Sequence, residues 1–463
     1  MRFLALLLAL ASPQLAHAAL TAGAAVADIT PPRGCPMAGY YSARGAEGTH
    51  DPLHAKALVL EQDGTRVALV ALDLIGTPRE LVEATRAAVE KATGIPAANV
   101  MISATHSHTG PVLSARGRFT EGVPGGQQIL RDYLNELPAR IAAAVKAADE
   151  KRRPARISTA TGREDGLAFN RRFFMLDGTV GWNPGKRNPR IVRPAGPTDP
   201  AVPVVCVDGL DVKPIATYVN FAMHLDTVGG MYYSADYPYQ LARCLAAVRG
   251  DDMVTVFTTG CCGDINHINV SSAARQGGHG EAARIGTRLA AEMLRTYDRL
   301  EPIADGPLRV STATVELELP AVTAEDVAKG KAVIAALSAG AKPAPAFLEQ
   351  VKAFQSVEVA GRLGKAFPVE VQVISLGDDL AWVSLPGEIF VELGLAIKAG
   401  SPFKQTICAE LANGSIGYIP NRVAYSQGNY EVVSARVAAG SGEKLVDEAL
   451  RQLRAQFRRA PVN

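Results

Sequence analysis

The sequence predicts an α/β protein in which mixed β-sheets are flanked by helices and the active site lies at the carboxyl ends of strands. Two observations lead to this prediction. Short runs of β-branched and aliphatic residues alternate with longer segments of helical periodicity, as in α/β folds. Three predicted strands end in loops that bear histidine, aspartate or asparagine, and open α/β sheets bind ligands beyond the carboxyl ends of their strands.

The first strand-helix-strand unit is predicted near the N-terminus. Residues 65–75 form an aliphatic run, and Thr-Pro-Arg-Glu at 77–80 forms a capping box with proline in the first helical turn. Apolar residues at helical spacing continue over 81–93, and Gly94 ends the helix. The second strand then covers residues 100–104.

Two histidines follow this second strand directly. His106 and His108 stand in Ala-Thr-His-Ser-His-Thr-Gly-Pro at 104–111. Because side chains on a strand alternate faces, both imidazoles point the same way. Neutral imidazole is the commonest nitrogen ligand for zinc and a proton shuttle near neutral pH. The pair therefore predicts a metal or catalytic site, and the alternative is a pair of solvated loop histidines.

The rest of the chain predicts further strands that run into polar loops. Residues 215–221 lead to His224, and residues 254–258 lead to Gly-Cys-Cys-Gly-Asp-Ile-Asn-His at 260–267. Glu388 stands after a strand in Pro-Gly-Glu and is either a ligand or a helix cap. The remaining predictions are surface loops over 153–203, strand 203–207, helices 237–248 and 280–297, two helices within 324–363 broken at 340–345, a hairpin of strands 369–376 and 380–385, and a helix ending at 398.

The N-terminus has the pattern of a secretory signal peptide over residues 1–18. Arg2 supplies the positive start, residues 3–11 the apolar core, and Ala-His-Ala at 16–18 the cleavage pattern. No later segment reaches the roughly 18 apolar residues that a membrane span requires. We therefore expect a secreted or periplasmic protein without a transmembrane segment.

Charge and cysteine content narrow the expected partners. The signal segment holds one of the 48 Lys+Arg and none of the 46 Asp+Glu, which leaves 47 basic against 46 acidic residues. With a net charge near zero, the protein has no strong positive electrostatic field to attract nucleic acid, so a nucleic-acid partner is excluded. Six cysteines permit disulfides in an oxidising compartment, but buried free thiols are an equal alternative. The adjacent Cys261 and Cys262 are not expected to bridge each other.

Five short motifs occur in a fixed order along the chain. They are Ser-Ala-Thr-His-Ser-His-Thr-Gly-Pro (103–111), Asn-Phe-Ala-Met-His (220–224), Gly-Asp (263–264), Leu-Pro-Gly-Glu (385–388) and Gly-Tyr-Ile (417–419). In this order they resemble the catalytic N-terminal domain of the neutral/alkaline, non-lysosomal ceramidases, zinc amidases that split ceramide into fatty acid and sphingosine. The resemblance runs from Ala-Ala-Val-Ala-Asp-Ile-Thr-Pro at 24–31 to about residue 443. It implies one ceramidase-like catalytic domain over 19–463, without the C-terminal immunoglobulin-like domain.

The resemblance implies a zinc site. The matching ligand positions are His106, His224, Glu388 and Tyr418. Two imidazoles and a carboxylate leave a coordination position for water, as in catalytic zinc sites. Zinc can lower the pKa of that water towards about 7 and polarise the carbonyl that the water attacks.

The resemblance also implies roles for three residues beside the metal. His108 matches a histidine that we expect to act as general base or oxyanion donor. Arg171 matches an arginine that faces the substrate, although the adjacent Arg172 leaves the register open. Tyr430 matches a second active-site tyrosine. For Arg171 and Tyr430 the alternatives are a surface arginine and a half-buried tyrosine.

One departure from the family pattern concerns the nucleophile. Ceramidases read Gly-Asp-x-Ser-Pro-Asn where this chain reads Gly-Asp-Ile-Asn-His-Ile at 263–268, so the family serine is replaced by Asn266. Asparagine can donate a hydrogen bond to an oxyanion but cannot form an acyl-enzyme. His267 supplies a further donor or base, or packs as a loop histidine.

Several acidic residues are candidates for orienting the metal-bound histidines, which carboxylates or carbonyls usually hold. The alternative role for each is a helix cap or turn, and His54 and His279 carry no clear signal. The candidates are Asp51 with its neighbour His50, Asp73, Asp236 and Asp264.

The sequence thus predicts a secreted zinc-dependent hydrolase that cleaves N-acyl amide bonds by zinc-bound water, with ceramide or a related lipid as substrate. Two alternatives remain open. One keeps the zinc but acts on another amide or on an ester. The other is a catalytically inactive lipid- or glycan-binding homologue.

Overall fold

The helices surround the sheets and vary from one turn to seven. The computed structural model describes residues 19–115, 117–304 and 306–457, and the predicted signal peptide over 1–18 lies outside them. Within these ranges, no helix combines the length and apolar character that crossing a membrane requires. The helices are α1 (Arg79–Thr93), α2 (Arg118–Glu121), α3 (Gly126–Glu150), α4 (Tyr237–Arg249), α5 (His279–Tyr297), α6 (Ala324–Ser338), α7 (Phe347–Gly361), α8 (Val391–Gly400), α9 (Arg422–Gln427), α10 (Tyr430–Ser434) and α11 (Ser441–Gln456).

The strands form two large sheets and several two- or three-stranded ones. They are β1 (Thr21–Asp28), β2 (Gly48–Thr49), β3 (His54–Gln62), β4 (Thr65–Leu72), β5 (Val100–Ala104), β6 (Arg153–Arg163), β7 (Phe169–Asn170), β8 (Arg172–Met175), β9 (Val180–Trp182), β10 (Ile191–Pro194), β11 (Ala201–Gly209), β12 (Pro214–Phe221), β13 (Tyr232–Tyr233), β14 (Val254–Thr259), β15 (Ile265–Asn266), β16 (Glu301–Pro302), β17 (Leu308–Leu317), β18 (Phe367–Leu376), β19 (Leu380–Ser384), β20 (Glu388–Ile389), β21 (Gln405–Ala409) and β22 (Tyr418–Ile419).

The larger sheet is mixed, which confirms the predicted fold class. Its strand order is β14-β12-β11-β6-β1-β3-β4-β5, with β16 paired to β6. The strands are antiparallel except for β4 with β5 and β12 with β14. Each parallel pair is joined by a helix, α1 in the first and α4 in the second, because parallel neighbours need a crossover connection. Both units were expected from the sequence.

The larger sheet is buried on both faces. Ala57 and Val59 of β3 pack in the core that α1 and α3 cover. The alternate residues Leu58 and Leu60 pack in a second core against the smaller sheet. Because both side-chain sets of such a strand are buried, the strand reads as a continuous apolar run in the sequence.

The smaller sheet has the order β17-β18-β19-β21 and contains the predicted hairpin as β18 and β19. Helices α8 and α11 cover its outer face. Strand β21 was not predicted, and it pairs in parallel with β19 through the α8 crossover. The molecule is therefore layered as helices, sheet, sheet and helices.

The larger sheet curves until its two edges approach each other. Strand β14 at one edge lies near β3, β4 and β5 at the other. The Thr259 hydroxyl donates a hydrogen bond to the Thr105 carbonyl at 2.6 Å, and Ser107 forms a parallel bridge with Leu225. This closure brings the carboxyl ends of the two parallel pairs to one place.

Two local predictions were wrong. Residues 153–203 are not only surface loops but contain β6 to β10, because β6 gains its partners from the distant β1 and β11. The capping box at 77–80 is also absent. Pro78 occupies the N-cap position, and the Thr77 hydroxyl donates to the carbonyls of Leu411 and Gly414 at 2.7 and 3.2 Å.

Candidate active site

Three of the predicted metal ligands meet where strands from both large sheets end. His106 follows β5, His224 follows β12, and Glu388 begins the short strand β20 after β19. Tyr418, the fourth, faces Glu388 across the parallel pair β20–β22. The site thus lies at the carboxyl ends of strands, as the sequence predicts.

His106 is fixed by its backbone and by one ring nitrogen. Its φ of 75° lies in the left-handed region, a strained conformation that clusters at functional sites. The ring Nδ1 lies 2.7 Å from the Ile75 carbonyl oxygen, which can only accept, so Nδ1 carries the proton. The other nitrogen, Nε2, therefore presents a lone pair to the site.

His224 is held in the same way and is fully buried. Its Nδ1 donates to the Cys262 carbonyl at 2.9 Å. Its Nε2 lies 3.2 Å from Glu388 Oε2, and neither of these buried atoms has a hydrogen-bond partner among the described residues. Burial lowers the pKa of His224, so this ring favours the neutral form that metals bind.

Glu388 supplies negative charge to this group. Its Oε2 also lies 3.5 Å from His106 Nε2. Burial raises the pKa of the Glu388 carboxyl, but His106 and His224 outweigh burial and hold the pKa well below its usual range. In turn the Glu388 charge outweighs burial at His106 and raises the His106 pKa. The site therefore attracts a positive charge, either a proton or a metal cation.

His108 completes what we call the inner cluster, defined as His106, His108, His224 and Glu388. Its Nε2 lies 3.2 Å from His106 Nε2, and the three histidines offer ring nitrogens within 4.8 Å of one another. Burial and the charge of His106 lower the pKa of His108 to about 3, so the ring is neutral. Its Nδ1 is buried without a hydrogen-bond partner among the described residues.

Arg171 contacts the site through Tyr418, and this settles which of the two adjacent arginines does so. Arg171 Nη2 donates to the Tyr418 hydroxyl at 3.0 Å and to the Gly263 carbonyl at 2.7 Å. Arg171 and Arg172 both bind the buried Glu431, at 2.8 and 2.9 Å. Arg171 is only 3% exposed, so the alternative of a surface arginine is wrong.

Gly263 shows why the Gly-Asp motif is needed here. A Cβ at this position would lie 2.4 Å from the Glu388 carbonyl oxygen. The adjacent Asp264 accepts from the Val391 amide and from Asn170 Nδ2, at 2.9 and 2.8 Å. Burial raises the pKa of Asp264 to about 6. The motif therefore fixes the segment that carries Glu388.

Tyr430 is half-buried and belongs to an aromatic wall beside the inner cluster. Its ring packs against four others, at centroid distances from 4.5 to 6.4 Å: Tyr41, Trp182, Phe347 and Tyr418. A cavity of about 150 Å³ between this wall and α7 reaches Glu388. A second cavity of about 360 Å³ reaches both Glu388 and His106 and is bordered by Arg436.

The two neighbours at the position of the family serine have other contacts. Asn266 Nδ2 donates to Asn183 at 3.0 Å, and its Oδ1 accepts from the Ile268 amide at 3.0 Å. His267 lies between Asp226 and the Gln276 carbonyl, at 3.2 and 3.0 Å. Both Asn266 and His267 are buried and anchored.

The groups that orient His106 and His224 are the backbone carbonyls of Ile75 and Cys262. The acidic residues considered as candidates stabilise other parts of the fold. Asp73 pairs with Lys56 at 2.9 Å, and Asp236 caps α4. Asp236 thus has the helix-cap role that the sequence offered as an alternative, whereas the ion pair of Asp73 is neither a cap nor a turn.

Sequence reasoning missed Glu410, which lies fully buried behind the inner cluster. Its Oε2 accepts from the amides of Cys262 and Ile389, at 3.0 and 2.8 Å. It thereby joins the segment that orients His224 to the one that carries Glu388. Burial raises its pKa to about 8. The available signal was an acid directly after the apolar run at 405–409, although that strand itself was not recognised.

All six cysteines are free, and all except the half-buried Cys244 are buried. This agrees with the alternative of buried thiols.

Comparison with known proteins identifies solved structures that share this fold. No protein-family model matches the sequence, and no curated protein matches it. The crystal structure of neutral ceramidase from Pseudomonas aeruginosa matches with a TM-score of 0.74 and 19% identity, over 96% of this chain and 75% of that one. A ceramidase complexed with C2 matches with a TM-score of 0.72 and 18% identity, over 96% and 76%. The chain therefore has the fold of these ceramidases.

Proposed function

We propose that the chain is a zinc-dependent hydrolase that cleaves N-acyl amide bonds, with ceramide or a related lipid as substrate and fatty acid and sphingosine as products. The observation that supports this most strongly is the inner cluster. His224 Nε2 and Glu388 Oε2 are buried, lie 3.2 Å apart and lack hydrogen-bond partners among the described residues. Leaving such atoms unpaired is costly, and a cation between them removes the cost.

The donor set fits zinc. His106, His224 and Glu388 provide two imidazole nitrogens and a carboxylate, the ligand types of catalytic zinc sites, and Tyr418 is the proposed fourth ligand. When bound, the ion polarises the substrate carbonyl and lowers the pKa of water. Arg171 donates to the Tyr418 hydroxyl, which fixes the position of the phenol oxygen. Arg171 is therefore a positioning residue.

His108 is the proposed proton acceptor. Burial and the charge of His106 hold its pKa low, so the ring is neutral, and its Nε2 lies 3.2 Å from Nε2 of the proposed ligand His106. From this position a neutral imidazole would take the proton from the attacking water and return it to the leaving nitrogen.

Asn266 is the proposed oxyanion donor in place of the family serine. Its Nδ2 carries two hydrogens, and the bond to Asn183 uses one of them. Tyr430 is proposed to border the bound acyl group as part of the aromatic wall.

We place the mature protein in the periplasm or outside the cell, because residues 1–18 have the sequence pattern of a signal peptide.

A second candidate keeps the zinc chemistry but changes the substrate to a smaller amide or an ester. The cavity beside Tyr430 holds about 150 Å³, less than half of the 360 Å³ in the cavity that reaches both Glu388 and His106. A substrate held on the Tyr430 side is therefore favoured if its acyl group is short. The loss of the family serine at Asn266 points the same way.

The test is a panel of fluorogenic N-acyl sphingosines of increasing acyl length, beside short amides and esters, with zinc-loaded protein. Turnover of acyl-sphingosine that disappears in Glu388→Gln supports the proposal. Turnover of short amides or esters alone supports the second candidate. Lipid binding without any hydrolysis, with zinc bound, would leave the inactive binding homologue as the remaining explanation.

A further inference from the structure

A second group of metal-ligand side chains lies outside the inner cluster. His50 follows β2, Asp51 is next to it, and His279 is the first residue of α5. Each offers one ligand atom, and these atoms lie within 4.8 Å of one another. The two imidazole rings stack with their centroids 3.5 Å apart. We call these three residues the outer cluster.

The carboxylate of the outer cluster is fixed before any ligand arrives. Asp51 is buried, its Oδ2 accepts from the Ser234 hydroxyl at 2.7 Å, and its Oδ1 accepts from the Ala235 amide at 2.6 Å. Each carboxylate oxygen has two lone pairs, so each retains one for a further partner. Asp51 can therefore bind a cation without giving up either hydrogen bond.

In contrast, no hydrogen bond to a nitrogen of either ring is found among the described residues, and both side chains are accessible to solvent. Burial and His50 lower the pKa of His279, which favours the neutral ring, the form that binds metals.

We propose that His50, Asp51 and His279 bind a second divalent cation of the zinc class, independent of the inner cluster. Imidazole and carboxylate together select borderline ions such as Zn²⁺, Ni²⁺ or Cu²⁺ over Mg²⁺ and Ca²⁺. Ligand atoms around a tetrahedral zinc lie roughly 3.4 Å apart, so closure requires a movement of up to about 1.4 Å. The exposed His50 side chain can make this movement, and water supplies the fourth ligand.

The role of this ion is structural. It joins the β2 segment to the start of α5, and Asp51 continues the connection to Ser234. The Ser234 carbonyl accepts from the hydroxyls of Ser107 and Thr109, at 2.6 and 3.0 Å. Since Ser107 stands between His106 and His108, the outer ion braces the loop that carries two histidines of the inner cluster.

The experiment counts zinc ions by elemental analysis after the full-length mature protein is equilibrated with micromolar free zinc. We expect two ions per chain in the wild type and one in His50→Gln/His279→Gln. His54→Gln is the matched control, because His54 is a nearby, partly buried histidine outside both clusters, and it should retain two. Equal zinc content in the wild type and in the His50→Gln/His279→Gln variant would overturn the proposal.

A second variant separates this site from the proposed active site. His106→Ala/Glu388→Ala should lose one ion and retain the outer one, which then gives cobalt absorption bands that vanish when His50→Gln is added. If the double variant at the outer cluster does not fold, His50→Gln alone suffices, because His50 is exposed; its half-saturating zinc concentration should rise at least tenfold. An unchanged value for that variant would contradict the outer site while leaving the inner one standing.

Discussion

The inner and outer clusters use the same side-chain types but differ in what is held in place. In the inner cluster, backbone carbonyls fix Nδ1 of His106 and His224, so the direction of each Nε2 is already set. In the outer cluster only the carboxylate of Asp51 is held by hydrogen bonds from the described residues, and the two rings stack on each other. Anchored, buried imidazoles suit catalysis, which requires fixed geometry, whereas rings without such anchors suit a stabilising ion.

Glu388→Gln is the substitution with the largest expected effect, and it tests whether the inner cluster differs from the outer one by holding the catalytic metal. The substitution keeps the shape but removes the charge that draws a cation to the inner cluster. Because a catalytic metal supplies several kcal/mol, we expect kcat/KM to fall on the order of 10⁴-fold, with one zinc ion lost. Steady-state kinetics with zinc analysis measures both. Activity within tenfold of wild type would show that Glu388 does not hold the metal.

Glu410 extends the comparison, because this buried acid holds the backbone at Cys262 and Ile389 behind the inner cluster. Its pKa is raised from 4.5 to about 8 by burial. The folded state therefore holds this proton more tightly than the unfolded chain. This contribution to stability is complete below pH 4.5 and is lost as the pH rises through 8.

We expect the loss to be on the order of 5 kcal/mol, and Glu410→Gln should remove it, since glutamine can still accept from the amides of Cys262 and Ile389. Urea unfolding of metal-free protein from pH 4.5 to 9 measures the difference. Parallel pH profiles for wild type and variant would refute the assignment.

Tyr418→Phe tests the fourth ligand position of the inner cluster. Removing the hydroxyl leaves Arg171 Nη2 with only the Gly263 carbonyl. We expect kcat to fall about 10- to 100-fold, the cost of one well-placed polar contact. Tyr430→Phe is the matched control from the aromatic wall and should alter KM more than kcat. Equal loss of kcat in both variants would argue against a special role for Tyr418.

The smallest expected effect concerns the outer cluster. Saturating zinc should raise the thermal midpoint of the wild type more than that of His50→Gln, by about 1 °C for each kcal/mol of binding energy in a chain of this size. Differential scanning calorimetry in the His106→Ala/Glu388→Ala background isolates this contribution. An identical zinc-induced shift with and without His50 would mean that the rings bind nothing.

The fold was predictable where the pattern was local. The unit of β4, α1 and β5 and the hairpin of β18 and β19 have clear periodicity and turns, and both are present. Strand β6 was missed because it is rich in arginine, threonine and serine and partly exposed. It is a strand only because β1 and β11, distant in sequence, pair with it.

The site was predictable to the extent that motifs mark it. His106, His224 and Glu388 each follow a strand in a short motif, and they do converge. The anchoring carbonyls of Ile75 and Cys262 have no side-chain signature, so no residue pattern could reveal them. The outer cluster was equally hidden, because His50 and His279 are far apart in the sequence and meet only in the fold.

The most direct test of the central claim is a crystal structure of the zinc-loaded protein with anomalous scattering measured at the zinc edge. We predict a peak within about 2.0 to 2.3 Å of His106 Nε2, His224 Nε2, a Glu388 carboxylate oxygen and the Tyr418 hydroxyl oxygen. A zinc-replete crystal with no peak between these four side chains would contradict the account.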